Sequence, residues 1–211
     1  MISNEEWQGH QHFELNWWTE NADTFGEEYK QVHVYAPRMG LSGFQDGGRW
    51  PIYDMQGLSV LDVGGGPVSM LLKTRNAGMR VVVDPCEYPD WTITRYQTAG
   101  ITLSRTPAEK FNWKGKRFDE AWIYNVLQHT MDPEAVIEMM KRQAKLIRVF
   151  EWIDMPPHEG HPHELKADLL SGWLGEGEGW CDVEDVKHPA TITDEKPWFI
   201  GRAFFGYRQV A

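Results

Sequence analysis

Asp62-Val63-Gly64-Gly65-Gly66-Pro67 closes a short apolar run, residues 58–63, and turns the chain sharply. Glycines at such a turn let the backbone come close to a ligand. The residues after them, 68–77, read as a helix ended by Gly78, with Pro67 suited to a first helical turn. A helix N-terminus there presents unpaired N–H groups and a positive dipole end, for which a carboxylate or phosphate is a natural guest. Asp84 lies 22 residues after Asp62 and ends the next β-branched run. An acid at that interval takes both hydroxyls of a ribose. Glycine turn and acid together point to an adenosine-type cofactor. The dinucleotide fingerprint G-x-G-x-x-G/A is incomplete, because Gly64 and Gly66 are followed by Ser69. A nicotinamide dinucleotide is therefore the lesser alternative.

A second group of reactive residues comes later. His129 follows the expected fourth strand, and Glu151, Asp154, His158, His161 and His163 follow from the fifth. Histidine, with an ordinary pKa near ~6.5, serves as a base at neutral pH, so His129 is the candidate general base. Glu151, His161 and His163 are candidates for touching a substrate. Residues 156–164 hold three histidines within six positions. They lack the H-E-x-x-H helix spacing and any nearby thiolate, so the expectation is a substrate lid and no bound metal. The pairs His10/His12 and Trp17/Trp18 are read first as helix packing and second as pocket wall.

These residues need strands that end near one another. Residues 58–63, 80–83, 101–104, 118–127 and 146–153 read as strands, separated by helices at 68–77, 88–99 and 132–142. Asp132-Pro133 supplies an N-cap and first turn for the last of these. Strands alternating with helices imply parallel βαβ units and a doubly wound sheet, whose ligands lie beyond the carboxyl ends of the strands. A short helix near 164–171 and two strand-like segments, 180–186 and 198–207, follow. They read as an antiparallel hairpin closing the sheet. Residues 1–56 read as a mostly helical N-terminal cap on a core spanning 57–211, the whole forming one domain.

The segment 62–67 resembles the first motif of class I S-adenosylmethionine-dependent methyltransferases. The resemblance continues at Asn125-Val126-Leu127-Gln128-His129-Thr130-Met131-Asp132-Pro133, which is similar to the L-x-H-x-x-D-P segment of the small-molecule methyltransferases of the ubiquinone-biosynthesis type. It covers residues 57–211 and implies a Rossmann-like, mostly parallel seven-stranded sheet with a C-terminal antiparallel hairpin. It also implies S-adenosyl-L-methionine as cofactor, held by Asp62 at its methionine end and by Gly64, Gly65, Gly66, Asp84, Pro85, Asn125 and Val126. Glu109 stands, shifted, for the acid near the adenine amine. Pro85-Cys86 and Asp154-Met155-Pro156-Pro157 resemble motifs of nucleic-acid methyltransferases but follow the wrong strands, so Cys86 is read as cofactor-pocket wall.

Composition bounds the partners. With 211 residues, and apolar residues at about 47% once glycine is counted and tyrosine left out, the chain sits in the ~45–50% globular range. That excludes disorder, collagen and coiled coil. Two cysteines make no disulfide framework and suit a reducing compartment, the cytoplasm. Apolar runs are too short for a membrane span. The net charge of −10 divides as −6 over residues 1–56, +3 over 57–150 and −7 over 151–211. Acidic flanks oppose a nucleic-acid partner and favour a small, metabolite-sized acceptor methylated at O, N or C. A non-catalytic cofactor-binding protein of the same fold is the alternative.

Overall fold

The structure, a computed structural model, describes residues 2–20, 24–188 and 199–210. Two helices, α1 (Asn4–Glu20) and α2 (Thr24–Lys30), open the chain, followed by a π-helical turn, Gln31–Tyr35, and the single turn α3 (Ala36–Arg38). Strand β1 (Tyr53–Asp54) precedes the main alternation: β2 (Val60–Val63), β3 (Thr74–Arg75), β4 (Arg80–Val83), α4 (Asp90–Thr98) and β5 (Thr102–Ser104). Then come β6 (Phe118–Tyr124), α5 (Pro133–Gln143), β7 (Ala144–Ile153), α6 (Ala167–Leu174), β8 (Gly179–His188) and β9 (Phe199–Gln209).

Seven strands form one sheet in the order β5-β4-β2-β6-β7-β9-β8, and β1 pairs separately with β3. The first five are parallel, and β9 runs antiparallel to both β7 and β8. This is the expected doubly wound sheet with its closing hairpin. The segment expected to join the last two strands falls largely on 189–198, outside the described residues. Among the described residues, no helix is long and apolar enough to cross a membrane.

Because side chains alternate across a strand, the sheet has two apolar faces. Leu61, Val63, Ile123 and Val149 pack with α5 and α6 on one side. Val60, Val82, Trp122 and Phe150 lie on the other, with Val34, Tyr35, Ala36 and Met39. Residues 34–39 therefore belong to the core, whereas the sequence placed them in a cap. Arg148 of β7 locks them there. Its guanidinium grips Glu120 of β6 at 2.7 and 2.8 Å and donates to the Met39 carbonyl at 2.7 Å.

The helix expected over 68–77 does not form. Two 3₁₀ turns, Gly66–Val68 and Met70–Lys73, replace it, broken by Ser69 at φ −40°, ψ 141°. The break is held from outside the segment. The Ser69 N–H donates to the Tyr96 hydroxyl of α4 at 3.2 Å, and the Met70 N–H to the Tyr124 hydroxyl of β6 at 3.0 Å. Ser69 Oγ then caps Leu71 N–H at 3.0 Å. With its donors satisfied by tertiary partners, the segment loses the bonds that would have continued a helix. Elsewhere the boundaries shift little. β6 stops at Tyr124 instead of Leu127, and Asp132 caps α5 through Ala135 N–H at 3.2 Å.

Gly64 sits at φ +68°, and a Cβ there would collide with the Val126 side chain. Gly64→Ala is expected to lower stability by at least about 1–2 kcal/mol, the order of the left-handed penalty alone. Urea unfolding of the two proteins checks this, and an unchanged midpoint would show that the turn can relax.

Candidate functional site

The carboxyl ends of β2, β4, β6 and β7 converge on a cavity of about 660 Å³, within the ~300–1,000 Å³ typical of small-molecule sites. Its floor is the glycine turn. Gly65 packs so tightly over Asp62 that a Cβ would lie 2.9 Å from Oδ2. Asp62 itself is fully buried beneath the turn. Its Oδ2 accepts from the Ser69 hydroxyl and from the Tyr124 hydroxyl, the latter at 2.6 Å, while Oδ1 has no hydrogen-bond partner. Tyr96 completes the group by donating to the Gly66 carbonyl. Each tyrosine hydroxyl thus donates once and accepts once, which is its ordinary capacity.

Asp84 lines the cavity at the end of β4, with Pro85 and Cys86. Its Oδ2 accepts from Gly66 N–H at 2.9 Å and Tyr88 hydroxyl at 3.3 Å, and its Oδ1 from Cys86 N–H at 3.0 Å. The turn that was expected to offer N–H groups to an anion gives one of them to this carboxylate instead. No helix follows the turn, so no helix dipole faces the cavity. A pyrophosphate finds little there, whereas ribose hydroxyls suit the Asp84 carboxyl. The Gly64–Gly65 cradle and cavity-facing Asp84 fit S-adenosylmethionine, whereas Asp62, expected to touch the cofactor, lies behind the turn and shapes the cradle from beneath.

The wall opposite is the loop after β6. Asn125 adopts φ +59°, and Val126 and His129 line the cavity. Glu151 holds this loop in place, its oxygens accepting from Val126 N–H at 3.0 Å and Leu127 N–H at 3.1 Å. The expectation that Glu151 touches substrate is corrected. It is wholly buried and braces the loop from behind. Glu109 lines the cavity, yet its Oε1 accepts from the N–H groups of Met131 and Asp132 at 2.8 and 3.2 Å, so it too is a brace.

His129 donates from Nδ1 to the Gly160 carbonyl at 2.7 Å. A carbonyl only accepts, so Nδ1 carries the proton and the neutral ring keeps its lone pair on Nε2. Gly160 is the tip of a tight hairpin closed by two bonds between the His158 and His161 backbones, 3.0 and 2.9 Å. His158 and His161 line the cavity. His163 does not, because its Nε2 meets the Thr130 carbonyl at 2.8 Å and it anchors the lid's base. Among the described residues, no cluster of three or more His, Cys, Asp or Glu could hold a metal ion.

The largest contribution that composition left unplaced is α1. Trp7, Gln11, Phe13, Glu14, Trp17 and Trp18 all line the cavity. Trp7 Nε1 donates to the His129 carbonyl at 3.2 Å, Cys86 Sγ meets Gln11 Oε1 at 2.9 Å, and Gly160 N–H reaches His10 Nδ1 at 3.3 Å. The packing preferred for Trp17 and Trp18 is corrected: both face the site. The sequence offered one signal, aromatics dense on a helix with few aliphatic residues.

Burial sets the proton affinities here. Desolvation pushes Asp62 up to about 7, Asp84 to about 6 and Glu151 to about 8. Unfolded carboxyls titrate near ~4, so the folded chain keeps protons the unfolded chain has lost. The stability this contributes is complete below about pH 4 and is lost as pH rises through about 6–8. His161 acts in the opposite sense. Desolvation, then the neighbouring histidines, lower it to about 3, so its contribution is present above ~6.5 and lost toward pH 3. Between about pH 6.5 and 8 only the carboxyls oppose folding. The ligand-free chain should melt a few degrees lower at pH 8 than at pH 6.5, and Glu151→Gln should shrink that difference. An equal or higher melting temperature at pH 8 would count against it.

Residues 61–146 match the family model described as a methyltransferase domain. No curated protein matches the chain by sequence. The solved structure of Burkholderia thailandensis 1,6-didemethyltoxoflavin-N1-methyltransferase, with bound 1,6-didemethyltoxoflavin and S-adenosylhomocysteine, is similar with TM-score 0.65 at 14% identity, over 100% of this chain and 92% of that one. The DhpI–S-adenosylhomocysteine complex gives 0.62 at 13%, over 99% of each chain. The [4+2]-cyclase SpnF gives 0.57 at 18%, over 92% of this chain and 83% of that one. At such identities the likeness to these structures is one of fold. The methyltransferase-domain match spans the glycine turn, Asp84 and the loop carrying His129.

Proposed function

We propose that the chain methylates a metabolite-sized acceptor held between α1 and the ends of β6 and β7, with His129 as general base. The observation that carries this is the roof. A helix laid across the strand ends, with Trp7 and Phe13 on the cavity wall, narrows a pocket of small-molecule size, where a polymer substrate would need a long groove. The acidic ends of the sequence agree, since a polyanion would meet net charges of −6 over residues 1–56 and −7 over residues 151–211. The neighbour that holds 1,6-didemethyltoxoflavin beside S-adenosylhomocysteine is a precedent for a small acceptor on this fold.

S-adenosylmethionine, when bound, supplies a methyl group on a positively charged sulfur, so the protein's work is alignment and, for a protic acceptor, removal of a proton. Asp84 would hold the ribose, and Asp62 would fix from beneath the turn on which the methionine end rests. Gly64 and Gly65 keep side chains out of the way. His129 would take the acceptor's proton at Nε2, its ring fixed by the Gly160 carbonyl at Nδ1. His161 and the 156–164 hairpin would cover the acceptor and exclude water.

Calorimetry should show tighter binding of S-adenosylhomocysteine than of NAD, and a preference for NAD would sink the cofactor assignment. Asp84→Ala should weaken binding by ~1–3 kcal/mol through lost charge-assisted bonds, whereas exposed Asp90→Ala should not. With labelled S-adenosylmethionine and a metabolite extract, His129→Ala should lower turnover strongly and leave cofactor affinity nearly intact. Equal losses in both would reduce His129 to a loop-shaping residue. The absence of any labelled product from the unaltered protein would favour a binding protein over an enzyme.

A further inference from the structure

The acceptor side of the cavity has a one-sided hydrogen-bonding character. Many of the donors on its wall are already committed within the protein. Trp7 Nε1 serves the His129 carbonyl, Trp18 Nε1 serves Glu14 at 3.0 Å, and Lys30 is paired with Glu27 at 3.1 Å. Two acceptors beside them keep open positions. Glu14 has one oxygen on the Trp18 indole, while Oε2 lies 3.8 Å from His129 Nδ1. His129 has Nε2 left over once Nδ1 has donated to Gly160. No cation other than the paired Lys30 lines the chamber among the described residues, apart from histidine rings. His161 is held neutral by burial, so it adds no positive charge.

Flat apolar side chains line the same cavity. Phe13 and Trp17 come from α1 and Trp152 from β7. Aromatic faces carry negative potential and favour planar or cationic partners. A carboxylate or phosphate on the ligand would face Glu14 with no unpaired cation to compensate, which like-charge repulsion makes costly.

Building on the acceptor site proposed above, we propose that the acceptor is a planar aromatic carrying an N–H donor, neutral or cationic. Its N–H groups face Glu14 and Nε2 of His129, and Glu14 on α1 is the residue that rejects anionic aromatics. The helix of the N-terminal segment thereby sets specificity, while the Rossmann-like core holds the cofactor.

The experiment uses the full chain saturated with S-adenosylhomocysteine and reads binding by calorimetry, independent of turnover. Three probes separate ring from charge: tryptamine, indole-3-propionate and n-butylamine. Tryptamine should bind at least about tenfold more tightly than indole-3-propionate, and n-butylamine, a cation without a ring, should bind more weakly than tryptamine. Glu14→Gln should bring the two indoles toward equal affinity, and Glu14→Lys should reverse their order, a gain that a merely misfolded variant would not show. The exposed neighbour Glu6→Gln should leave the ratio unchanged. Indole-3-propionate binding as tightly as tryptamine would overturn the proposal. So would a ratio that survives Glu14→Lys, or an S-adenosylhomocysteine-loaded protein that binds neither indole. Failure to bind S-adenosylhomocysteine at all would be a separate result, removing the cofactor reading and this proposal together.

Discussion

The carboxyl of Asp62 lies under the glycine turn with no access to water, and the cofactor side of the molecule is organised around keeping it there. A buried carboxyl is tolerable only where its oxygens find donors. Asp62 finds them in Ser69 and Tyr124, from the segment that follows it and from the neighbouring strand. Those donors are in turn used by the backbone: Tyr124 receives Met70 N–H, and Tyr96 receives Ser69 N–H while reaching the Gly66 carbonyl. One acidic side chain thus decides the path of residues 64–70.

Glu151 does for the opposite wall what Asp62 does for the floor. Buried at the end of β7, it takes the N–H groups of Val126 and Leu127 and so fixes the loop on which His129 rides. Val126 is then pressed against the space above Gly64, where even a methyl group would not fit. The two braces therefore meet at a single close contact between floor and wall. Both carboxyls lie behind the cavity surface, and both are pushed toward neutrality by burial. Asp84, just after β4, and Glu14 of α1 by contrast line the cavity itself.

What was legible in the sequence was whatever is local. The β-branched runs gave the strands, the glycines and Pro67 gave the turn, and Asp132-Pro133 gave the start of α5, because each depends on neighbours within a few residues. The failures share a cause. Residues 68–77 have the pattern of a helix, but the tyrosines that undo it stand 27 and 54 residues away from the N–H groups they bind. Glu151 was placed correctly at a strand end, yet whether such a carboxylate faces ligand or backbone depends on which way the next strand's loop folds. His161 and His163, two positions apart on one lid, part ways because a hairpin at Gly160 points one inward and leaves the other on the Thr130 carbonyl. The role of α1 was least visible. Its tryptophans pack as readily on a core as over a ligand, and composition alone does not distinguish the two.

The energetics of α1 follow from the same contacts. Among the described residues of this helix only Trp7 is buried, and the rest are partly or fully exposed. It is therefore not held by a broad apolar face of the kind that fixes residues 34–39 against the sheet. It is held by a few polar ties to the site itself: Ile2 N–H to the Met131 carbonyl at 3.1 Å, Trp7 to the His129 carbonyl at 3.2 Å, and His10 to Gly160 at 3.3 Å. Hydrogen bonds of this kind contribute only ~0.5–1.5 kcal/mol each. Elements with few buried contacts open at a free-energy cost well below that of global unfolding, and ligand-covering elements are drawn from that end of the range. The roof that gives the chamber its aromatic wall is thus the least expensive part of the fold to move, while the floor and the His129 loop, tied down by two buried carboxyls, are among the most costly.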